Sequence, residues 1–208
     1  MRGFIFDVDG VLLDALKVWD DLGIRYLKTK GVEAEKNLSE ILYPMSLEQS
    51  SHYMKETYHL PDPEEEIISG FLSLVEQFYE KEVELKPDVK EYLESIQEYP
   101  MVICTTNDRK LIEAGLKRNG IEKYFSKIFT CSEEKVDKNT PEIYKRALAY
   151  LNLPAKDVVY FEDSLRPLLA AKSIGLYTIG VEDAYNQKDL EKIQEASHRY
   201  IRSFKELL

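Results

Sequence analysis

The sequence predicts an α/β protein: a Rossmann-like parallel sheet flanked by helices, with an all-helical subdomain inserted after the first strand. Helical patterns alternate with strand-like runs in the second half, which indicates βαβ units. Each strand-like run is continuously apolar, as strands are in a parallel sheet covered on both faces. The five runs are Gly3–Phe6, Met101–Cys104, Lys127–Cys131, Val158–Phe161 and Tyr177–Val181.

Three helices are predicted between the later strands, because apolar residues recur there at helical spacing. Each pattern is followed by a glycine or proline stop signal. The stripes and their stop signals are Leu111 to Leu116 before Asn119-Gly120, Ile143 to Leu151 before Pro154, and Leu165 to Lys172 before Gly175.

The interval between the first two strands is too long for a simple crossover and holds several helical patterns but no strand. One helix is predicted to start with Asp62 as its N-cap and Pro63 in its first turn. We therefore expect residues 15–85 to form a helical subdomain, and residues 1–14 and 86–208 to form the α/β core.

Composition excludes several classes of function. The chain has 208 residues and a net charge of −10, so it lacks the basic surface that a nucleic-acid-binding protein needs. No apolar run approaches the roughly 20 residues that span a bilayer, and the start of the chain leads directly into a strand. Cys104 and Cys131 are too few for a disulfide framework, and we expect free thiols. We expect a cytoplasmic protein without a membrane or nucleic-acid partner.

Acidic and polar residues follow the predicted strands where these end. Asp7-Val8-Asp9-Gly10 follows the first strand, Thr106-Asn107 the second and Glu162-Asp163 the fourth, and Lys138 lies after the third. Ligands bind outside the carboxyl ends of the strands in an open parallel sheet. Together these residues supply two carboxylates, hydroxyl and amide donors, a cation and an acidic pair. Phosphoryl transfer through an aspartyl-phosphate requires this set.

Each stretch taken alone also has an ordinary structural interpretation. Asp-Gly is a common turn dipeptide, the polar residues at 106–107 and 163–164 would also serve as helix N-caps, and a lone lysine is usually solvated. Two features favour a site instead. Two carboxylates on one tight loop repel each other unless a cation lies between them. A magnesium ion prefers one or two carboxylates together with substrate oxygens.

With these motifs in place, the chain resembles the haloacid dehalogenase-like hydrolase superfamily. It is similar to the branch with a helical cap after the first strand, which includes beta-phosphoglucomutase-like and phosphoglycolate phosphatase-like proteins. The resemblance covers essentially the whole chain. It is carried by Asp7-Val8-Asp9-Gly10-Val11-Leu12, by Thr106-Asn107, by Lys138 with Pro141-Glu142-Ile143-Tyr144, and by Glu162-Asp163-Ser164 with Ala170-Ala171-Lys172 and Gly175.

The chain departs from the family pattern at three positions. The family often has Lys-Pro-x-Pro where this chain has Lys138-Asn139-Thr140-Pro141, and a glycine where Asp137 stands. Many members carry a further aspartate where Pro167 stands, which bears on how a metal or Lys138 is held.

The resemblance implies a role for each carboxylate of the first motif. Asp7 would be the nucleophile that forms the aspartyl-phosphate. Asp9 would protonate the leaving alcohol and then activate water. Asp9 is diagnostic within the family, because dehalogenases lack it and phosphate-transferring ATPases carry threonine there.

The resemblance also implies a ligand set. Mg²⁺ would be held by the Asp7 carboxylate, the Asp9 backbone carbonyl and Asp163, with Glu162 as a further ligand. Thr106, the Asn107 amide and Lys138 would bind the phosphoryl oxygens and stabilise charge in the transition state. The inserted helices would form a cap that excludes water, as caps do in this family.

We therefore expect a magnesium-dependent phosphatase that acts on a small phosphorylated metabolite. A sugar-phosphate mutase of the beta-phosphoglucomutase type is the alternative within the family. A non-catalytic binding or regulatory protein with the same fold is the alternative from another class, which the intact Asp7, Asp9, Lys138 and Asp163 disfavour. We expect a monomer, with a weak homodimer as the other possibility.

Overall fold

A computed structural model describes all 208 residues, Met1–Leu208. Six parallel strands form one sheet in the order β3-β2-β1-β4-β5-β6, which confirms the predicted α/β class and its Rossmann-like core. The strands are β1 (Gly3–Phe6), β2 (Met101–Thr105), β3 (Lys127–Thr130), β4 (Val158–Glu162), β5 (Tyr177–Val181) and β6 (Arg199–Ile201).

The strand order reverses at β1, which places its carboxyl end at the centre of the sheet edge. Phe6 pairs with Ile103 of β2 on one side and with Phe161 of β4 on the other. The loops that follow β1, β2 and β4 therefore start side by side. In open parallel sheets a ligand crevice forms at such a reversal.

Both faces of the sheet are covered, which explains why its strands are continuously apolar. On one face, Ile5 and Tyr160 belong to a buried cluster with Tyr144. Elsewhere in the core the rings of Phe6 and Phe161 stack with their centroids 4.6 Å apart, and the Phe204 ring lies 5.6 Å from that of Phe161. These contacts hold β1 against β4.

Eleven α-helices accompany the sheet, and four short 3₁₀ helices lie at Glu122–Tyr124, Ala155–Asp157, Ala184–Asp189 and Phe204–Leu207. The α-helices are α1 (Lys17–Asp20), α2 (Leu22–Thr29), α3 (Leu38–Leu42), α4 (Leu47–Tyr58), α5 (Glu64–Lys81), α6 (Val89–Ser95), α7 (Arg109–Arg118), α8 (Cys131–Glu134), α9 (Glu142–Leu151), α10 (Leu165–Lys172) and α11 (Leu190–Ala196).

The chain divides into two compact units: Leu16–Glu82, which contains α1 to α5, and Met1–Ala15 with Val83–Leu208. The boundary inferred from the sequence lies one residue too early at the first crossing and three residues too late at the second. Val83, Glu84 and Leu85 belong to the α/β unit because Leu85 bridges to Leu13 and the Asp14 amide donates to the Glu84 carbonyl at 2.9 Å.

The helical unit packs around the apolar face of α5. Ile67, Phe71 and Phe78 of that helix are buried, and the Tyr26 ring meets the Phe71 ring edge-on at 5.2 Å. Helix α5 begins one residue later than its predicted start. Pro63 occupies the N-cap position, and Asp62, the predicted N-cap, accepts from Lys30 Nζ at 2.8 Å instead.

Two other details differ from the prediction. The strand β6 was not predicted, because its three residues are too few to form a recognisable apolar run. Three strand ends also shift by a residue: β2 and β4 each gain one polar residue, Thr105 and Glu162, and β3 ends at Thr130 rather than Cys131. None of the helices combines the length and the apolar character that crossing a bilayer requires.

Candidate active site

The loop after β1 turns sharply and buries its first carboxylate. The Asp7 amide donates to the Phe161 carbonyl at 3.0 Å, so Asp7 starts level with the end of β4. The Val8 carbonyl accepts from three successive amides of residues 11–13. This tight turn requires a positive φ at Gly10, which is +83° and favours glycine. Asp7 is consequently fixed at the edge of the sheet with 6% of its surface exposed.

Three buried acidic side chains meet at this edge. Carboxylate oxygens of Asp7, Glu162 and Asp163 all lie within 4.8 Å of one another. Asp7 follows β1, whereas Glu162 ends β4 and Asp163 follows it, so the pairing of β1 with β4 brings them together. Such a cluster is costly unless a cation balances it.

Lys138 supplies one balancing charge. Its Nζ lies 2.7 Å from Asp7 Oδ1 and 2.7 Å from Glu162 Oε2, and only 4% of the lysine is exposed. The Tyr144 hydroxyl donates to the Lys138 carbonyl at 2.7 Å and thereby ties the loop before α9 to that helix. The structure thus brings Lys138, Asp7 and Glu162 into direct contact.

Glu162 is oriented by partners on both of its carboxylate oxygens. Oε1 accepts from the Ser164 amide at 3.0 Å, and Oε2 accepts from the buried Tyr160 hydroxyl as well as facing Lys138. The Tyr144 hydroxyl, which donates to the Lys138 carbonyl, also lies 3.3 Å from the Tyr160 hydroxyl. Glu162 is therefore placed to hold the lysine. Asp7 and Asp163 are the carboxylates better suited to contact a metal directly.

Burial and mutual repulsion change the protonation of the cluster. Desolvation raises the pKa of Asp7 to about 7, although Lys138 opposes the rise and Glu162 adds to it. Desolvation, with repulsion from Glu162 and Asp7, also raises the pKa of Asp163 well above its usual range. Burial alone lowers the pKa of Lys138, but Asp7 and Glu162 outweigh it and hold that pKa well above its usual value.

The loop after β2 contacts the second carboxylate of the first motif. Asn107 Nδ2 donates to Asp9 Oδ2 at 2.8 Å, which unites these two predicted residues. The Asn107 backbone amide donates to Thr105 Oγ1 at 3.1 Å, so it is already engaged in this structure. Thr106 is exposed, whereas Thr105 is 1% exposed at the end of β2. The hydroxyl embedded at this strand end thus belongs to Thr105 rather than Thr106.

The sequence reasoning missed Thr105 and a second contact to the acidic cluster. The interpretation of β2 as Met101–Cys104 placed Thr105 outside the strand, although a β-branched residue favours strand structure. Asn186 belongs to the 3₁₀ helix Ala184–Asp189, within the connection between β5 and α11 (residues 182–189, hereafter the Asn186 loop). Its Nδ2 donates to Asp163 Oδ2 at 2.5 Å. Nothing in the local pattern around Asn186 signals this contact, which depends on the tertiary fold.

The donor set suits a hard divalent cation. Oxygen ligands from carboxylates are those that Mg²⁺ prefers. Three carboxylates face a single ammonium, so a divalent cation would balance the negative charge that remains when all three are ionised. Asp7 Oδ1 is buried without a well-directed hydrogen bond, although Lys138 lies close to it. These observations fit a metal site formed by Asp7 and Asp163.

Comparisons with known proteins identify the family and several relatives of this chain. The family model for haloacid dehalogenase-like hydrolases matches residues 4–181. A phosphorylated carbohydrates phosphatase of Thermotoga maritima is 27% identical over 189 residues, which span 89% of this chain and 88% of that protein. A phosphoglycolate phosphatase of Vibrio parahaemolyticus is 26% identical over 196 residues, which span 87% of this chain and 83% of that protein. The crystal structure of a candidate beta-phosphoglucomutase from Thermotoga maritima superposes over 100% of both chains with a TM-score of 0.86 and 25% identity.

Replacing Lys138 by methionine should destabilise the metal-free protein, because it leaves Asp7 and Glu162 buried without their cation. Removing one partner of a buried ion pair typically costs about 3–5 kcal/mol. Urea unfolding in EDTA at neutral pH would measure the loss. Lys145→Met is the matched control, since Lys145 forms an exposed pair with Glu142 and should change stability little. Equal stability of the K138M variant and the wild type would contradict the charge balance described.

The free energy of unfolding of the metal-free protein should depend on the ionisation of Asp7. Its pKa rises from 3.8 to about 7 on folding, so between these values the folded chain holds a proton that the unfolded chain has released. This contribution to stability therefore falls as pH rises through that window.

Asp7→Asn removes this titration. The free energy of unfolding of the variant minus that of the wild type should therefore increase as the pH rises from about 5 to about 7.5. Unfolding curves of both proteins at several pH values would test this. The difference between them cancels the titrating groups outside the site, whereas Asp163 and Lys138 respond to the loss of the Asp7 charge and contribute to it. A difference that stays constant with pH would refute the raised pKa.

Proposed function

This chain belongs to the haloacid dehalogenase-like hydrolase family, and we propose that it is a magnesium-dependent phosphatase that hydrolyses a small phosphorylated metabolite through an aspartyl-phosphate. The observation that carries the proposal is the contact of Asp7 with Lys138 beside Asp163 at the junction of β1 and β4. The names of two relatives, a phosphorylated carbohydrates phosphatase and a phosphoglycolate phosphatase, support it.

Asp7 is the proposed nucleophile. A carboxylate oxygen of Asp7 attacks phosphorus, and the bond from phosphorus to the ester oxygen breaks as the acyl phosphate forms. The same burial that raises the pKa of Asp7 to about 7 strips water from this carboxylate. Lys138, 2.7 Å from Oδ1, favours the ionised form that the attack requires.

Asp9 is the proposed general acid and base. Its carboxyl group gives a proton to the leaving alcohol, and the resulting carboxylate then takes a proton from the water that attacks the acyl phosphate. This second attack releases inorganic phosphate and restores Asp7. The Asn107 side-chain amide donates to Asp9 Oδ2 at 2.8 Å, which helps to fix the carboxyl group.

Phosphoryl oxygens would be bound by the end of β2 and by Lys138. Thr105 Oγ1 accepts a hydrogen bond from the Asn107 backbone amide. The Thr105 hydroxyl proton would then be donated to an oxygen of the substrate. The Lys138 ammonium would stabilise the charge that develops on the transferred group. Asp7, Asp163 and the Asp9 backbone carbonyl would hold Mg²⁺, which supplies electrostatic stabilisation of that same charge. Glu162 keeps Lys138 in place.

A sugar-phosphate mutase is the second candidate. The similarity to the candidate beta-phosphoglucomutase, with a TM-score of 0.86, favours it. A mutase would use the same Asp7 and Asp9 chemistry, but it would return the phosphoryl group to a second hydroxyl of a sugar rather than to water. The two activities therefore differ in their products.

We also propose a cytoplasmic location. Cys104 and Cys131 are both free in the structure, and burial raises the pKa of the Cys104 thiol well above its usual value, so this thiol is unreactive. Unpaired thiols are typical of a reducing compartment.

Asp7→Asn should abolish turnover of p-nitrophenyl phosphate in the presence of Mg²⁺, because an amide cannot form the acyl phosphate. Asp9→Asn should lower the rate by about 10²–10⁴-fold, the usual contribution of a positioned acid or base. Steady-state assays would measure both. Mg²⁺ affinity should persist in D9N, since the proposed ligand there is the backbone carbonyl. Wild-type rates in D7N would exclude the nucleophile assignment.

Treatment with EDTA should remove the activity, and added Mg²⁺ should restore it. A screen of sugar phosphates, nucleotides and phosphoglycolate, with free phosphate and isomer formation both measured, would then separate the two candidates. A phosphatase releases one phosphate per substrate consumed. Interconversion of glucose 1-phosphate with little free phosphate would favour the mutase, and full activity in EDTA would rule out the metal requirement.

A further inference from the structure

The loop after β5 also contacts the acidic cluster, and no motif of the chain accounts for this contact. Asn186 Nδ2 donates to Asp163 Oδ2 at 2.5 Å. We propose that Asn186 is a positioning residue that fixes the Asp163 carboxylate for a divalent cation, and that Lys86 holds the Asn186 loop in place. This inference rests on the proposed function, in which Asp163 is a metal ligand.

Asp163 needs such a partner more than its neighbour does. Both oxygens of Glu162 are held by short contacts from Ser164, Tyr160 and Lys138. For Asp163, the Ser164 hydroxyl lies 3.5 Å from Oδ1, at the limit of a hydrogen bond. The short contact from Asn186 to Oδ2 therefore sets the rotation of the Asp163 carboxylate.

An amide donor has an advantage over a cation at this position. Asn186 orients the carboxylate without neutralising it, so the negative charge that attracts a divalent ion is kept. A lysine or arginine in its place would compete with the metal for the same charge. Partners of this kind behind a metal ligand commonly change metal affinity about 10–100-fold when removed.

Lys86 links the Asn186 loop to the first motif. Its Nζ contacts Asp183 Oδ2 at 2.8 Å, the Glu182 carbonyl at 2.5 Å and the Gly10 carbonyl at 2.9 Å. The Lys86 and Asp183 side chains are only 13% and 5% exposed. One partly buried ammonium thus joins the turn that follows Asp9 to the start of the loop that carries Asn186.

Asp183, which pairs with Lys86, also forms hydrogen bonds within the Asn186 loop. Its Oδ1 accepts from the Tyr185 amide at 2.9 Å, and its carbonyl accepts from Gln187 Nε2 at 3.1 Å. The side chain of Asp183 therefore fixes the backbone immediately before Asn186. Removing Lys86 would leave Asp183 buried without its cation and loosen this segment.

The test compares Asn186→Ala with Gln187→Ala. Both substitutions remove a half-buried or exposed amide side chain from the same loop, but only Asn186 contacts Asp163. Calorimetric titration with Mg²⁺ and the paramagnetic signal of Mn²⁺ would measure binding directly, without substrate. We expect N186A to bind about tenfold or more weakly, and Q187A, which loses only the hydrogen bond to the Asp183 carbonyl, to lose much less affinity.

Activity provides a second readout. The Mg²⁺ concentration for half-maximal turnover should rise in N186A, whereas kcat at saturating Mg²⁺ should stay close to that of the wild type. Lys86→Met should weaken Mg²⁺ binding in the same direction. The double variant K86M/N186A should lose less than the product of the two single effects, because both act through one contact.

The outcomes separate this inference from the proposed function. Mg²⁺ binding by N186A at the wild-type affinity would overturn the role of Asn186 and leave the phosphatase proposal intact. An equal loss in N186A and Q187A would also overturn it, because loop stiffness rather than the amide contact would then be responsible. A wild-type protein that binds neither Mg²⁺ nor Mn²⁺ would refute the metal site itself, and the inference with it.

Discussion

Lys138 Nζ lies 2.7 Å from an oxygen of Asp7 and 2.7 Å from an oxygen of Glu162, and all three side chains are buried. Lys138 opposes the rise in the pKa of Asp7 that desolvation and repulsion from Glu162 cause, and a protonated Asp7 is a poor nucleophile. The charge balance holds only while β1, β4 and the loop before α9 keep their relative positions. The tyrosine contacts from Tyr144 and Tyr160 serve this purpose, since they fix the lysine's backbone and the glutamate's carboxylate.

Much of the fold could be predicted because the burial of each strand is reflected in a local run of apolar residues in the sequence. A strand covered on both faces must be continuously apolar, so the five longer strands were recognisable. The short strand β6 was not, because its sequence resembles a polar connection and its pairing with β5 depends on tertiary structure. The start of α5 was misplaced by one residue for a similar reason: Asp62 pairs with the distant Lys30 rather than capping the helix.

Some residues of the site could likewise be predicted from the sequence, and others could not. Residues at strand ends could be found from the sequence, since the parallel sheet necessarily gathers them at one edge, and the structure does bring Asp7, Lys138, Glu162 and Asp163 together. The choice between adjacent threonines depended on a strand end that sequence patterns locate only to within a residue or two. The contacts of Asn186 and Lys86 could not be predicted, because the sequence around a single asparagine or lysine in a loop does not indicate which residues it will contact in the folded protein.

The two crossings between the sheet and the helical insertion are adjacent in the α/β unit. Leu13 and Leu85 form an antiparallel bridge, and the Asp14 amide donates to the Glu84 carbonyl at 2.9 Å. This pairing has the geometry of the base of a β-hairpin, and tight hairpins close with two residues. Evolution could therefore exchange or excise the whole insertion at this point without altering the order of the strands, which makes the junction a natural place for grafting a different module.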